Sequence, residues 1–107
     1  MADFHTVCRA EDVPEGEGRT VEAGGKLIAV FRDGGNFYAL DDMCPHMGAS
    51  LAGGHVEAGV VTCPWHAWRF RLSDGAWKDN PRLKIGCYPV RVENGEVQVQ
   101  VNGGPAK

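Results

Sequence analysis

Apolar residues in this chain fall in short runs, several alternating with polar ones, with the glycines mainly between the runs, and no stretch sustains a helical period. The last stretch is the clearest. Val97, Val99 and Val101 alternate with Gln98, Gln100 and Asn102, and upstream Tyr88, Val90 and Val92 alternate with Pro89, Arg91 and Glu93. Asn94-Gly95 between them predicts a two-residue hairpin turn. Lys26 to Phe31 and Phe37 to Leu40 predict a second hairpin with a slightly longer loop at Asp33-Gly34-Gly35-Asn36. A third pairs Trp68–Leu72 with Ala76–Lys78 around Asp74-Gly75, and a fourth joins Val56 to Val60–Cys63 around Glu57-Ala58-Gly59. Phe4 to Arg9 reads as an opening strand, and Ala10–Val13 as the one helical turn. So many short strands predict an all-β fold, an antiparallel sandwich or barrel.

Length and composition narrow this picture. A chain of 107 residues holds one domain, and no boundary is visible within it, so 1–107 is read as a single unit. The tail at 103–107, Gly103-Gly104-Pro105-Ala106-Lys107, reads as frayed. A net charge of -3 without a basic block argues against nucleic-acid binding. The acidic group Glu11, Asp12, Glu15 and Glu17 reads as a solvated loop, and the acidic surplus hints at a basic docking face on a partner. No secretory leader, paired-arginine signal or run near the roughly 20 apolar residues of a membrane span is visible. The expected compartment is the reducing cytoplasm, with no membrane attachment, where cysteines serve metals more often than disulfides.

Candidate chemistry lies in two similar segments, Cys44-Pro45-His46-Met47-Gly48 and Cys63-Pro64-Trp65-His66-Ala67, with sixteen residues between His46 and Cys63. Each offers one thiolate and one imidazole on a proline-stiffened loop. Four such ligands suit either one tetrahedral zinc or a binuclear iron–sulfur cluster. A cluster with two thiolates on one iron and two imidazoles on the other needs one cysteine and one histidine from each loop. A common zinc finger instead groups its cysteines on one element and its histidines on another.

With these motifs the sequence resembles the Rieske family. Cys44-Pro45-His46-Met47-Gly48-Ala49-Ser50-Leu51 is similar to that family's first loop, and Cys63-Pro64-Trp65-His66-Ala67-Trp68-Arg69-Phe70 to its second; the flanking hairpins fit as well. The resemblance implies a Rieske-like domain with a cluster-binding lobe at about 42–72. It implies one [2Fe–2S] cluster, with Cys44 and Cys63 on the inner iron and His46 and His66 on the solvent-facing one. Respiratory-complex members add a cysteine to each loop and a serine and a tyrosine after the second. Here Ala49, Trp65, Trp68 and Phe70 stand in those places, so the bridging disulfide and both hydroxyl donors to sulfur are missing. Loss of those donors predicts a potential in the lower part of the family's range of about -150 to +300 mV. Imidazole ligation predicts a potential that varies with pH at alkaline pH.

The chain has no room for the mononuclear iron domain of a Rieske oxygenase, so no catalytic residue and no turnover of a substrate alone are expected. The function implied is a soluble one-electron carrier, the ferredoxin component of an oxygenase-type system, working with a flavoprotein reductase and a terminal oxygenase or reductase. Alternatives are the small subunit of an NAD(P)H-dependent assimilatory nitrite reductase and, further off, a structural zinc domain. Cys8 and Cys87 read as small buried hydrophobes in strands, a disulfide between them being the other option, and His5 and His55 as surface histidines. Met43, Met47, Trp65 and Trp68 read as a dry apolar shell. Asn80-Pro81-Arg82-Leu83 resembles the family's third, proline-containing loop, with Pro81 and Leu83 as cover for one side of the cluster.

Overall fold

The computed structural model describes residues 4–42, 50–63 and 68–100. The expected Cys44, His46 and His66, their neighbours Met43, Met47 and Trp65, and the tail at 103–107 lie outside the described residues.

Among the described residues twelve strands follow in chain order: β1 (Phe4–Arg9), β2 (Gly18–Ala23), β3 (Lys26–Asp33), β4 (Asn36–Asp41), β5 (His55–Glu57), β6 (Val60–Thr62), β7 (Arg69–Arg71), β8 (Ala76–Trp77), β9 (Asn80–Lys84), β10 (Cys87–Tyr88), β11 (Val90–Glu93) and β12 (Glu96–Gln100). They pair antiparallel into three sheets, ordered β1-β12-β11, β10-β4-β3-β2 and β5-β6-β7-β8-β9. Among the described residues the only helical pieces are single 3-10 turns at Ala10–Asp12 and Leu51–Gly53. The all-β antiparallel expectation therefore holds.

β3 explains how the sheets stack. Ile28, Ala29, Val30 and Phe31 are all fully buried, a continuous apolar run of the kind that fills a strand covered on both faces. Ile28 and Val30 pack with Val13, Val21, Val97 and Val99, which joins the four-stranded sheet to the three-stranded one. Ala29 and Phe31 point the other way and pack with Leu51, Val61, Cys63, Phe70 and Leu72 of the lobe built on the five-stranded sheet. The lobe is thus fixed to the base through a shared core.

The turns largely follow the chemistry of their residues. Asn94 and Gly95 take φ of 54° and 78°, as the predicted hairpin requires. The β3–β4 loop is tighter than expected: Asp33 pairs with Asn36, leaving only Gly34-Gly35, both at positive φ, between the strands. β2 was not anticipated; it reaches β3 through Gly24-Gly25 and pairs along its whole length from Gly18–Phe31 to Ala23–Lys26. Asn80–Lys84 is a strand rather than a loop, and all five of its residues are exposed, Pro81 and Leu83 included.

Candidate metal centre

Cys63 follows directly on β6. Its backbone N–H donates to the carbonyl of Trp68 at 2.6 Å, so the two ends of the stretch 64–67 are held together. Its side chain is only 2% exposed and forms no disulfide. Leu51, Val61 and Phe70 share its core, with Trp68, Trp77 and Ile85 packed against it. A buried thiol outside any disulfide, directly after a strand, is available as a metal ligand.

The ends of the other Cys/His stretch, 43–49, are tied by Asp42. This carboxylate is 5% exposed and lies 2.8 and 3.0 Å from the Ser50 hydroxyl, which has one proton to donate to either oxygen. Ala52 N–H donates to Asp42 Oδ1 at 3.1 Å and Thr20 Oγ1 to Oδ2 at 3.3 Å. Leu51 N–H donates to the Asp42 carbonyl at 2.6 Å. Burying a carboxylate is costly unless its oxygens are satisfied, and here three neighbouring elements satisfy them.

Asp41 works on the other side. It accepts from Tyr88 Oη and from Gly86 N–H at 2.8 Å, while its own N–H donates to the Gly86 carbonyl at 2.9 Å. Burial, then the hydrogen bond to Asp41 and that carboxylate's charge, push the Tyr88 hydroxyl well above the ordinary phenol range. Adjacent aspartates therefore anchor the 43–49 stretch and the 85–88 segment to the end of the same strand.

Beside Cys63, the Trp68 and Trp77 rings stack at 4.0 Å with 11° between planes, and Phe70 is fully buried 6.4 Å from Trp68. Trp68 and Phe70 thus carry packed rings without a hydroxyl, as read from the sequence. Trp77 Nε1 is buried without a hydrogen-bond partner among the described residues.

The remaining candidates are dispersed. Among the described residues no three metal-ligating side chains cluster. His5 is exposed on β1, and His55 is exposed and hydrogen-bonded to Glu57 at 3.0 Å. Cys8 and Cys87 are both free, so the disulfide between them is not formed. Cys8 is half-buried, whereas Cys87 is exposed, with its thiol facing the Ser73 carbonyl at 3.5 Å, and so is not the buried residue expected. Glu15 is more than a solvated acid: its carboxylate accepts from the N–H groups of Gly34 and Gly35 and pins the acidic loop to the β3–β4 turn. Asp42 and the Asp41–Gly86–Tyr88 set were missed in the sequence, where the one local hint is a pair of aspartates immediately before the first Cys/His segment.

Three antiparallel sheets among the described residues, with a buried thiol directly after β6, define a small all-β protein. The Rieske [2Fe-2S] domain model matches residues 3–89, and the chain belongs to this family. Its cofactor is a Rieske-type [2Fe–2S] cluster. The chain is 37% identical over 102 residues to the anthranilate 1,2-dioxygenase ferredoxin subunit of Burkholderia cepacia, with 94% of each protein covered. It is also 37% identical over 98 residues to apoptosis-inducing factor 3 of Mus musculus, covering 91% of this chain but 16% of that much longer protein. Among solved structures it is similar to the complex of oxygenase and ferredoxin in carbazole 1,9a-dioxygenase (TM-score 0.82, 35% identity, 97% of this chain and 96% of that one). It is likewise similar to a Mycobacterium tuberculosis protein assigned as an NADH-dependent nitrite reductase small subunit (TM-score 0.87, 30% identity, 94% and 96% covered).

Proposed function

We propose that this chain is a one-electron carrier, the ferredoxin component of an oxygenase-type system, in which Cys44, His46, Cys63 and His66 hold the cluster. The observation that carries the reading is Cys63: a buried, unbridged thiol directly after β6 in a domain of the Rieske family. The full-length match to a dioxygenase ferredoxin subunit supports the choice of system. Cys44 and Cys63 would hold one iron and His46 and His66 the other, and the cluster would supply reversible one-electron chemistry. The chain's own contribution is to hold the ligand stretches at fixed ends, through Asp42 and the Cys63–Trp68 bond, and to keep the Cys63 sulfur away from water.

The partners in this reading are a flavoprotein reductase and a terminal oxygenase or reductase, and the chain turns over no substrate alone. No described helix is long and apolar enough to cross a membrane, which fits work in the cytoplasm. A nitrite reductase small subunit is the second reading, favoured by the TM-score of 0.87 to the Mycobacterium tuberculosis protein.

The test is a visible spectrum and low-temperature EPR before and after dithionite, followed by reconstitution with a flavoprotein reductase and a ring-hydroxylating oxygenase. A reduced-state signal with average g below the free-electron value, and product formed only when this chain is present, are expected. A colourless protein holding one zinc overturns the carrier reading. Transfer to a sirohaem reductase but not to an oxygenase would select the second.

A further inference from the structure

Charge is divided unevenly over the fold. Residues 55–85, which include the five-stranded sheet, carry five Lys/Arg against three Asp/Glu, whereas the rest of the chain carries six against eleven. All three carboxylates of that stretch are engaged: Asp79 with Arg69 at 3.5 Å, Asp74 with Arg71, and Glu57 with His55. Lys78, Arg82 and Lys84 remain, all exposed and without an ion pair among the described residues.

Two of these cations lie on the edge strand of the lobe's sheet and the third on the turn that leads into it. β9 ends the sheet and carries Arg82 and Lys84. Lys78 lies between β8 and β9, and its N–H donates to the Arg69 carbonyl at 2.8 Å. It lines a shallow basin of 280 Å³ with Arg69, Thr62, His55 and Glu57, the carboxylate that His55 contacts. Thr62 immediately precedes Cys63, and Arg69 follows Trp68, so the strip begins beside the thiol-bearing turn. The stretches 43–49 and 64–67 contain no Asp, Glu, Lys or Arg. Of the two aspartates nearest the first stretch, Asp42 is buried and Asp41 is bonded to Tyr88 and Gly86.

Charge on an exposed edge also discourages strands of other chains from adding to it. Carboxylates, in which this chain is rich, would serve that purpose equally well, yet β9 carries cations alone. We propose that Lys78, Arg82 and Lys84 form a cationic docking strip for an acidic surface on a protein redox partner. The chain then approaches its partner positive end first, although its net charge is -3. The inference rests on the carrier reading and reverses the basic partner face that the net charge hinted at.

The test uses the full chain with its cluster. One electron passes from the reduced cluster to hexacyanoferrate(III), giving hexacyanoferrate(II), and this small anion reports the sign of the local field. The rate is expected to fall at least about threefold as salt rises from about 10 to 300 mM, and to lose that dependence in Lys78→Gln/Arg82→Gln/Lys84→Gln. A rate that rises with salt, as a field set by the net charge requires, overturns the proposal. So does a triple variant with an intact spectrum and unchanged kinetics. Should the triple variant fail to fold, Lys78→Gln alone reads the same loss at smaller amplitude.

Calorimetric titration with poly-L-glutamate needs no cluster, and so separates this inference from the carrier reading. Binding by the native chain and not by the triple variant is expected, and no binding by the native chain overturns the strip. Tighter binding of a DNA duplex of equal charge assigns the strip to nucleic acid and also overturns it. A colourless protein that still binds poly-L-glutamate leaves the strip standing while the carrier reading falls.

Discussion

The Ser50 hydroxyl lies 2.8 Å from Asp42 Oδ1, and this contact joins the two ends of the segment that bears Cys44 and His46. Because Asp42 also accepts from Ala52 and Thr20, its loss strands several donors at once. Asp42→Ala is expected to cost about 3 kcal/mol, which for a domain of this size lowers the melting temperature by roughly 10–20 °C. Ser50→Ala should cost only about 1 kcal/mol, since the backbone donors remain. Thermal melts of both variants, with the rate at which a chelator bleaches the visible spectrum, check this. Equal melting temperatures would remove Asp42 from its anchoring role.

Cys63→Ser and His66→Ala are expected to abolish the [2Fe–2S] spectrum and to destabilise the fold, because metal binding and folding are linked. Cys8→Ser and Cys87→Ser should leave the spectrum intact, since both thiols lie on strands outside the two Cys/His segments. Iron and sulfide analysis with EPR of the four variants is the measurement. Full colour in either of the first two would refute the ligand assignment.

Chemistry that is local in sequence was legible before the structure. The Cys/His segments declare themselves within four residues, and Asn94-Gly95 sets its hairpin through backbone preference alone. What stayed hidden was non-local or unmarked by burial. Asp42 meets Thr20 and Ser50 across 22 and 8 residues, and nothing in the sequence pairs them. β2 buries only Val21 and Ala23, too little apolar alternation to register as a strand. β9 buries nothing, so the period that betrays a half-buried strand has nothing to act on there.

Gly54 shows how closely the lobe is built. A Cβ at this position would stand 2.2 Å from the Thr62 carbonyl oxygen, one residue before Cys63, and 3.1 Å from that of Leu51. Both obstacles are backbone and cannot rotate away. Gly54→Ala is therefore expected to destabilise by about 2 kcal/mol or more and to reduce cluster content, whereas Gly53→Ala, where a Cβ meets nothing within 4 Å, should be mild. Denaturant melts and iron content of the pair decide it; similar losses in both would show that the β5–β6 side yields.

Phe70 is fully buried beside Trp68, at the position where the resemblance read from the sequence implies a tyrosine in respiratory-complex members. A hydroxyl donor there would favour the more negative reduced state. Phe70→Tyr is expected to raise the potential by about 40 mV, the one-electron equivalent of a hydrogen bond of about 1 kcal/mol. Redox titration followed by EPR measures it. A lower or unchanged potential would mean that the ring edge does not address the sulfur ligands.

Tyr88 links stability to alkaline pH. Burial and the neighbouring Asp41 carboxylate favour its protonated form, so its folded pKa lies above the unfolded value of about 10. Above that pH the unfolded chain releases a proton that the folded one retains, so the unfolded state binds fewer protons and stability falls as pH rises. The contribution is complete below about pH 10 and is lost as pH climbs from there through the folded pKa. Tyr88→Phe should therefore be less stable at neutral pH, by about 1 kcal/mol, while losing less stability than the native chain between about pH 9 and 11. Urea melts at stepped pH, with the phenolate band followed in parallel, give both quantities. Identical pH slopes in the two proteins would show that Tyr88 does not hold its proton through Asp41.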